Sequence, residues 1–416
     1  MYSKSTTLPQ WMKDYFDWHN QQMITVNDSN YQNYRFLILR CSNVEEKCGG
    51  VADRLKGLPF FIAAAASSTP KRIFLIRWER PTKLENFLVP HEINWSVPTW
   101  FYSKFTNFQH HPHAYYIPRT KRILMGLKKY TDVIVIEGLI QDYYGGSSNY
   151  YKFDCEMDIH CTMNVNSTNI NINSNTSSIN NKKQFNEEYY QNNDAAGWDL
   201  YENIFHDLWY TLFTPSPSIA ILVKEKMRST KLRPNEFATS HYRAFYAIEH
   251  QKESKEEVQL IAKTINSLNC ASKLQPGSPI FFASDSQIAV QTARNYNNRI
   301  PPRQGDHNNP NITADHRPDR RDRHPIVTFT EDHQEALHLD KKDQWTSGNI
   351  ADFYPTFVDL LIMAEAKCMA LGVGGFGRFA NMISRDPTCV IRHDNEGGGG
   401  TPCKWYDTVE DHTEDW

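Results

Sequence analysis

The sequence predicts an α/β protein with two Rossmann-like, doubly wound lobes and a central cleft. Three observations predict it. Short apolar runs rich in Ile, Val and Phe alternate with amphipathic stretches of helical period, as parallel strands alternate with crossover helices. Two Gly-rich junctions, one at Gly49-Gly50 and one over residues 372–377, each join such a run to a helix. The chain has 416 residues, enough for about two to three domains.

The elements follow in order. Residues 34–41 carry Phe36, Leu37, Ile38 and Leu39 in succession, which predicts a strand buried on both faces. Residues 51–66 predict a helix with Leu55, Leu58 and Ile62 on its stripe, kinked or shortened by Pro59. Residues 71–78 form the next strand and complete a βαβ unit. Residues 132–138 add a strand to the same sheet. The Asn/Ser/Thr tract over 164–181 buries too little to fold and reads as a disordered surface insertion. An aromatic helix over 198–213 is stopped by Pro215 and Pro217, and a further helix follows over 218–227.

From residue 235 the alternation is regular. Strands are expected over 237–244, 278–283, 325–330, 368–373 and 388–393. Helices are expected over 254–268, 287–296, 355–367 and 376–384, with Pro355 in a first turn where proline is tolerated. Residues 301–324 form a charged, Pro-containing insertion. The division is an N-terminal extension over 1–33, a first lobe over 34–160 and the insertion over 161–194. Connecting helices span 195–234, the second lobe spans 235–395 and a tail spans 396–416.

Composition excludes several function classes. Lys and Arg number 45 against 48 Asp and Glu, a net charge of −3, so a nucleic-acid binder held by bulk phosphate attraction is not expected. No apolar run approaches the roughly 18 residues that span a bilayer. Eight cysteines and five Asn-x-Ser/Thr sequons, at Asn27, Asn94, Asn166, Asn175 and Asn311, point toward a lumenal compartment. Chance supplies sequons in an Asn-rich chain, and eight cysteines suit buried thiols equally, so the cytosol stays open as the alternative.

In open α/β sheets, ligands bind outside the C-terminal ends of the strands, so polar residues there are the site candidates. Gly49, Gly50, Asp53 and Arg54 sit at the first junction. They read either as an anion-binding helix start or as a tight turn with Asp53 on the helix dipole. His241 and Arg243 end a strand and share a face through its period of two. Ser284 and Asp285 end the next strand, with Ser286 beside them, and any of the three could be a helix N-cap. Asp359 lies early in the helix over 355–367. Four glycines in six residues, Gly372, Gly374, Gly375 and Gly377, then lead into a helix with Phe376 and Arg378. This turn lacks the Lys-Ser/Thr ending of a P-loop and the Rossmann G-x-G-x-x-G spacing. It leaves a helix N-terminus for the phosphates of a sugar nucleotide. Metal signals are poor: Asp154 and Asp158 border the insertion, and His110, His111 and His113 have no carboxylates at ligand spacing.

These residues in this order resemble the fucosyltransferase superfamily of α-1,6-fucosyltransferases, nodulation fucosyltransferases and protein O-fucosyltransferases. The stretch from Gly49 through Asp53, Arg54 and Leu55 resembles its Gly-Gly-x-x-Asp-Arg-Leu element. His241-Tyr242-Arg243 resembles its His-x-Arg motif, and Ser284-Asp285 its Ser/Thr-Asp motif. Asp359 and the turn at Gly374, Gly375 and Phe376 stand where the third motif falls, with glycines in place of the usual hydroxyls.

The resemblance implies a GT-B-like fold with the donor on the second lobe and the acceptor on the first. It implies inverting transfer of fucose from GDP-fucose to a glycan or glycoprotein hydroxyl, with no metal or other cofactor. Arg243 would neutralise the pyrophosphate, and Glu249, two positions off the family register, would be the base. Rival readings are another nucleotide sugar on the same frame, or an inactive glycan- or protein-binding relative. The resemblance also implies work in the Golgi or endoplasmic reticulum lumen. An upstream exon encoding an apolar segment, or a truncated gene, is therefore expected.

Overall fold

The computed structural model describes residues 2–41, 48–104, 114–117, 133–137, 204–244, 256–296, 326–328, 339, 349–393 and 403–405. The Asn-rich insertion, the charged insertion, the histidines at 110–113, Asp154, Asp158, Glu249 and the sequons beyond Asn94 lie outside these residues. Two compact units emerge, one of residues 1–216 with 408–416 and the other of residues 217–407.

The first unit opens on helix α1 (Gln10–Thr25). Strand β1 (Phe36–Cys41), helix α2 (Val51–Leu55), helix α3 (Leu58–Ser67) and strand β2 (Ile73–Trp78) form the expected βαβ unit, with β1 and β2 parallel. The single helix expected over 51–66 is instead two. Pro59 falls in the first turn of α3, where its missing N–H costs nothing, so the chain restarts a helix there rather than bending one. Short strands β3 (Leu88–Pro90), β4 (Ala114–Ile117), β5 (Val133–Glu137) and β6 (Phe213–Pro215) follow, with helix α4 (Thr99–Lys104) after β3. The main sheet has the order β2-β1-β5-β4, all parallel, while β3 and β6 pair antiparallel.

The N-terminal extension is integral to this unit. β2 is an edge strand, yet every residue in it is buried. Helix α1 covers the edge: the Tyr15 hydroxyl donates to the Arg72 carbonyl at 2.8 Å and His19 Nε2 to the Phe74 carbonyl at 2.9 Å. The Ile76 N–H reaches the Trp95 carbonyl at 2.8 Å. An open ladder is thus closed by side chains and one loop carbonyl.

The second unit begins with helix α5 (Pro217–Thr230) and strand β7 (Ala238–Tyr242). Helix α6 (Glu256–Leu274), strand β8 (Ile280–Ser284), helix α7 (Gln287–Arg294) and strand β9 (Ile326–Thr328) come next. Helix α8 (Tyr354–Ala364), strand β10 (Cys368–Leu371), helix α9 (Gly375–Ile383) and strand β11 (Val390–Arg392) complete the alternation. The stretch read as a tail adds β12 (Lys404–Trp405), antiparallel to β11.

The sheet order is β12-β11-β10-β7-β8-β9, and the five strands from β11 to β9 are joined by four parallel pairings. The chain therefore winds outward from β7 in one direction and returns to wind outward from β10 in the other. This is the Rossmann order, and its reversal point lies between β7 and β10. Tyr242 packs with Leu268, Ile280, Phe282 and Val290 on one face, while His241 points to Phe376 and Gly377 of α9 on the other. The sheet thus carries helices on both faces.

Among the described residues six cysteines are paired. Cys41–Cys48 closes the loop after β1, Cys270–Cys403 ties α6 to the approach to β12, and Cys368–Cys389 links β10 to the residue before β11. The reading of these cysteines as buried thiols is replaced by covalent pairs that no sequence spacing reveals.

Candidate functional site

The richest group of candidates lies at the C-terminal ends of β7, β8 and β10, at the reversal point of the second sheet. β10 runs into Gly372, Val373 and Gly374, and α9 starts at Gly375. Gly374 has φ +93°, a left-handed conformation that disfavours any side chain. A Cβ there would lie 2.9 Å from Arg243 Cδ and 3.0 Å from its Nη1. The Arg243 side chain thus lies directly against the turn that opens α9. The free N–H groups of a helix start and a guanidinium converge on one place, the arrangement that suits a bound anion.

His241, two residues earlier, lies on the same face. It is buried, with its ring 5.4 Å from that of Phe376. A Cβ on Gly377 would lie 2.7 Å from His241 Nδ1, so glycine is required for α9 to approach the ring. That Nδ1 is buried without a hydrogen-bond partner. Burial, and after it the charges of Arg243 and His393, together lower the His241 pKa to about 3. The ring is therefore neutral at physiological pH, and the net positive charge here comes from Arg243.

β8 supplies the support. The Asp285 Oδ1 accepts the Ala244 N–H at 2.6 Å and fixes the backbone just after Arg243. Ser284 Oγ accepts the Ser286 N–H at 3.2 Å. Ser286 is the N-cap of α7, accepting the Ala289 N–H at 3.4 Å. The three polar residues therefore divide the work, and only Ser286 caps the helix.

Asp359 stands apart. Its carboxyl is buried in α8, its Oδ1 has no hydrogen-bond partner, and the charge acting on it is Lys226 of α5. Burial raises its pKa well above the carboxylate range, against the pull of Lys226. Its place in the structure is thus inside the packing of α8, with α5's Lys226 as the charge acting on it.

The first junction belongs to the first unit and forms a group of its own. Gly49 has φ +70°, and the Gly50 N–H donates to Asp53 Oδ2 at 3.1 Å. Asp53 also pairs with Lys56 at 3.1 Å. Arg54 is only 2% exposed. Its Nε donates to the Gly49 carbonyl at 2.9 Å and its Nη1 to the Arg80 carbonyl at 2.6 Å, with the guanidinium 4.6 Å from the Trp78 ring centroid. These are the contacts of a turn lock, not of an open anion site.

Sequence reasoning passed over His393 and read Gly372 only as one of the glycines of the turn. His393 follows β11 and donates from Nε2 to the His241 carbonyl at 2.8 Å. A terminal His on a short strand was the only signal, and its partner lies 152 residues away. Among the described residues, no group of three or more His, Cys, Asp or Glu is placed to hold a metal ion. No helix among them is long and apolar enough to cross a membrane.

No family model matches the chain, and no curated protein matches it. Solved structures do. A mutant of Arabidopsis thaliana FUT1 in complex with GDP superposes with a TM-score of 0.56 at 10% identity, covering 95% of this chain and 82% of that one. NodZ α-1,6-fucosyltransferase soaked with GDP-fucose gives a TM-score of 0.41 at 11% identity, over 89% of this chain and 98% of that one. NodZ from Bradyrhizobium gives 0.41 at 11%, over 88% and 97%. The chain shares its fold with the plant FUT1 structure.

Proposed function

We propose that this protein is a glycosyltransferase of the fucosyltransferase superfamily, transferring fucose from GDP-fucose to a glycan or glycoprotein hydroxyl. The observation that carries the reading is the packing of Arg243 on Gly374 at the start of α9, beside the reversal point of the second sheet. The fold shared with FUT1, the plant protein solved with GDP, supports it. In this reading Arg243 and the N–H groups at Gly375 and Phe376 receive the donor diphosphate. Asp285 and Ser284 hold the strand ends, and neutral His241 offers Nδ1 to the nucleotide.

The chemistry follows from that charge distribution. The acceptor oxygen attacks the anomeric carbon, the bond from that carbon to the β-phosphate oxygen breaks, and negative charge grows on the diphosphate. A fixed guanidinium and a helix N-terminus stabilise that charge best as it develops. The proposal therefore includes metal independence, because positive charge is available from the chain itself. Attack from the face opposite the leaving group inverts the anomeric centre. Glu249 is kept as the proposed base.

The disulfides among the described residues support work in the Golgi or endoplasmic reticulum lumen, because such bonds persist where thiols are oxidised. The test is turnover of GDP-fucose against a glycan array, with and without EDTA, and GDP and UDP titrations beside it. Fucose transfer that survives EDTA, with GDP bound in preference to UDP, is expected. Loss of transfer on chelation with rescue by manganese would overturn metal independence. Preference for UDP would overturn the donor.

A further inference from the structure

Three parallel strands end side by side at the proposed donor site. His241 of β7 pairs in register with Leu371 of β10, and Leu371 pairs with Arg392 of β11. The residue after each strand then decides how the ends are held. The Gly372 N–H donates to the His241 carbonyl at 3.1 Å. His393 passes over Gly372 and donates from Nε2 to the same carbonyl at 2.8 Å. A carbonyl accepts only, so Nε2 bears the proton and the tautomer is set.

His393 is itself held at three points. Its own N–H donates to the Leu371 carbonyl at 2.9 Å, its carbonyl accepts from Asn266 Nδ2 of α6 at 2.8 Å, and its ring meets Tyr242 edge-on at 6.0 Å. The path over β10 exists only because residue 372 is glycine. A Cβ there would lie 2.8 Å from His393 Cε1 and 3.1 Å from Nε2. φ at Gly372 is not in the left-handed region, so the requirement comes from space and not from backbone conformation.

We infer that His393 is a positioning residue for the donor site: through Nε2–H it holds the His241 carbonyl, and with it the two-residue span that ends in Arg243. The inference rests on the proposed role of Arg243 in receiving the diphosphate. Asp285 fixes the chain after Arg243 through the Ala244 N–H. His393 fixes it before. Clamped at both sides, the guanidinium meets α9 already in place, and a donor binds without first ordering the loop.

The experiment is a double-mutant cycle read by GDP titration calorimetry on the full chain, with thermal unfolding of every variant. His393→Leu keeps the bulk and removes the donor. Gly372→Ala displaces the ring while leaving residue 393 a histidine. Each is expected to weaken GDP binding about tenfold, the size of one hydrogen bond's net contribution. The double variant should lose no more than either single, because both break one contact. His393→Gln, which restores an N–H near the same point, should recover most of the affinity.

A His393 that only filled space would lower the unfolding temperature and leave GDP affinity unchanged. Folded His393→Leu binding GDP within twofold of wild type would overturn the inference, as would losses that multiply in the double variant. Should His393→Leu fail to fold, Gly372→Ala alone decides by the same twofold criterion. Wild-type protein that binds no GDP, by contrast, would overturn the donor reading beneath it.

Discussion

The two Gly-rich junctions look alike in sequence and are used in opposite ways. Each follows a strand, each opens a helix, and each has an arginine against it. At the first, Arg54 turns back and spends its donors on the Gly49 and Arg80 carbonyls, over the Trp78 ring. At the second, Arg243 comes from the neighbouring strand and lies half-buried against Gly374. The lesson is that glycines and an arginine do not define an anion site. What distinguishes the two is where the guanidinium lies: Arg54 on the carbonyls of its own turn, Arg243 against the glycine that opens α9.

That contrast predicts a double dissociation. The largest effect should be on stability, from Arg54→Ala. It strips a buried carbonyl pair of charged donors and should cost about 3 kcal/mol. Chemical denaturation should show it, while GDP affinity of the folded fraction stays unchanged. Arg243→Ala should do the reverse. It should weaken GDP binding by about 1.5–3 kcal/mol, with the unfolding midpoint close to wild type.

The glycines sharpen the comparison. Gly374→Ala places a Cβ against Arg243 at 2.9–3.0 Å from a left-handed backbone, so it should both strain the turn and push the guanidinium away. A loss of GDP affinity of at least about tenfold is expected, together with about 1–2 kcal/mol of stability. Gly50→Ala meets nothing closer than Asp53 Oδ2 at 3.9 Å and has φ −74°. It should cost no more than about 0.5–1 kcal/mol, the preference of an N-cap for glycine over alanine, and leave GDP binding alone.

A further comparison separates the units by pH. His19 in the first unit and His241 in the second are buried and neutral, with pKa values lowered to about 4 and about 3 by desolvation. A base whose folded pKa is lowered binds more protons when unfolded. Its contribution is therefore full above about pH 6.5 and is lost as pH falls toward the folded value, at up to about 1.4 kcal/mol per pH unit for each group. Unfolding free energy should decline from pH 6.5 to 4. His19→Gln should flatten that decline for the first unit while leaving GDP binding intact. An unchanged slope would show that His19 is not one of the titrating groups.

Much of the fold was legible because its signals are local. The apolar runs that became β1, β2, β7, β8 and β10 needed only their own residues, and the switch from period two to helical period marked the helices. Pro59 misled because a proline inside an apolar stripe reads as a kink, whereas α3 simply begins there. The candidate site was half legible. His241, Arg243, Ser284, Asp285 and the Gly374 turn were identifiable at strand ends. The pairing of Arg54 with carbonyls, the isolation of Asp359 beside Lys226, and the reach of His393 across Gly372 depend on contacts between distant residues. So do the disulfides, whose partners are up to 133 residues apart.

The central claim is that the second junction, and not the first, holds a nucleotide diphosphate. Titration of GDP into wild type, Arg243→Ala and Arg54→Ala, each checked for folding, tests it most directly. The account predicts that wild type and folded Arg54→Ala bind alike and that Arg243→Ala binds about 10- to 100-fold more weakly, one charge-assisted contact to phosphate. Folded Arg243→Ala binding GDP as tightly as wild type would contradict it.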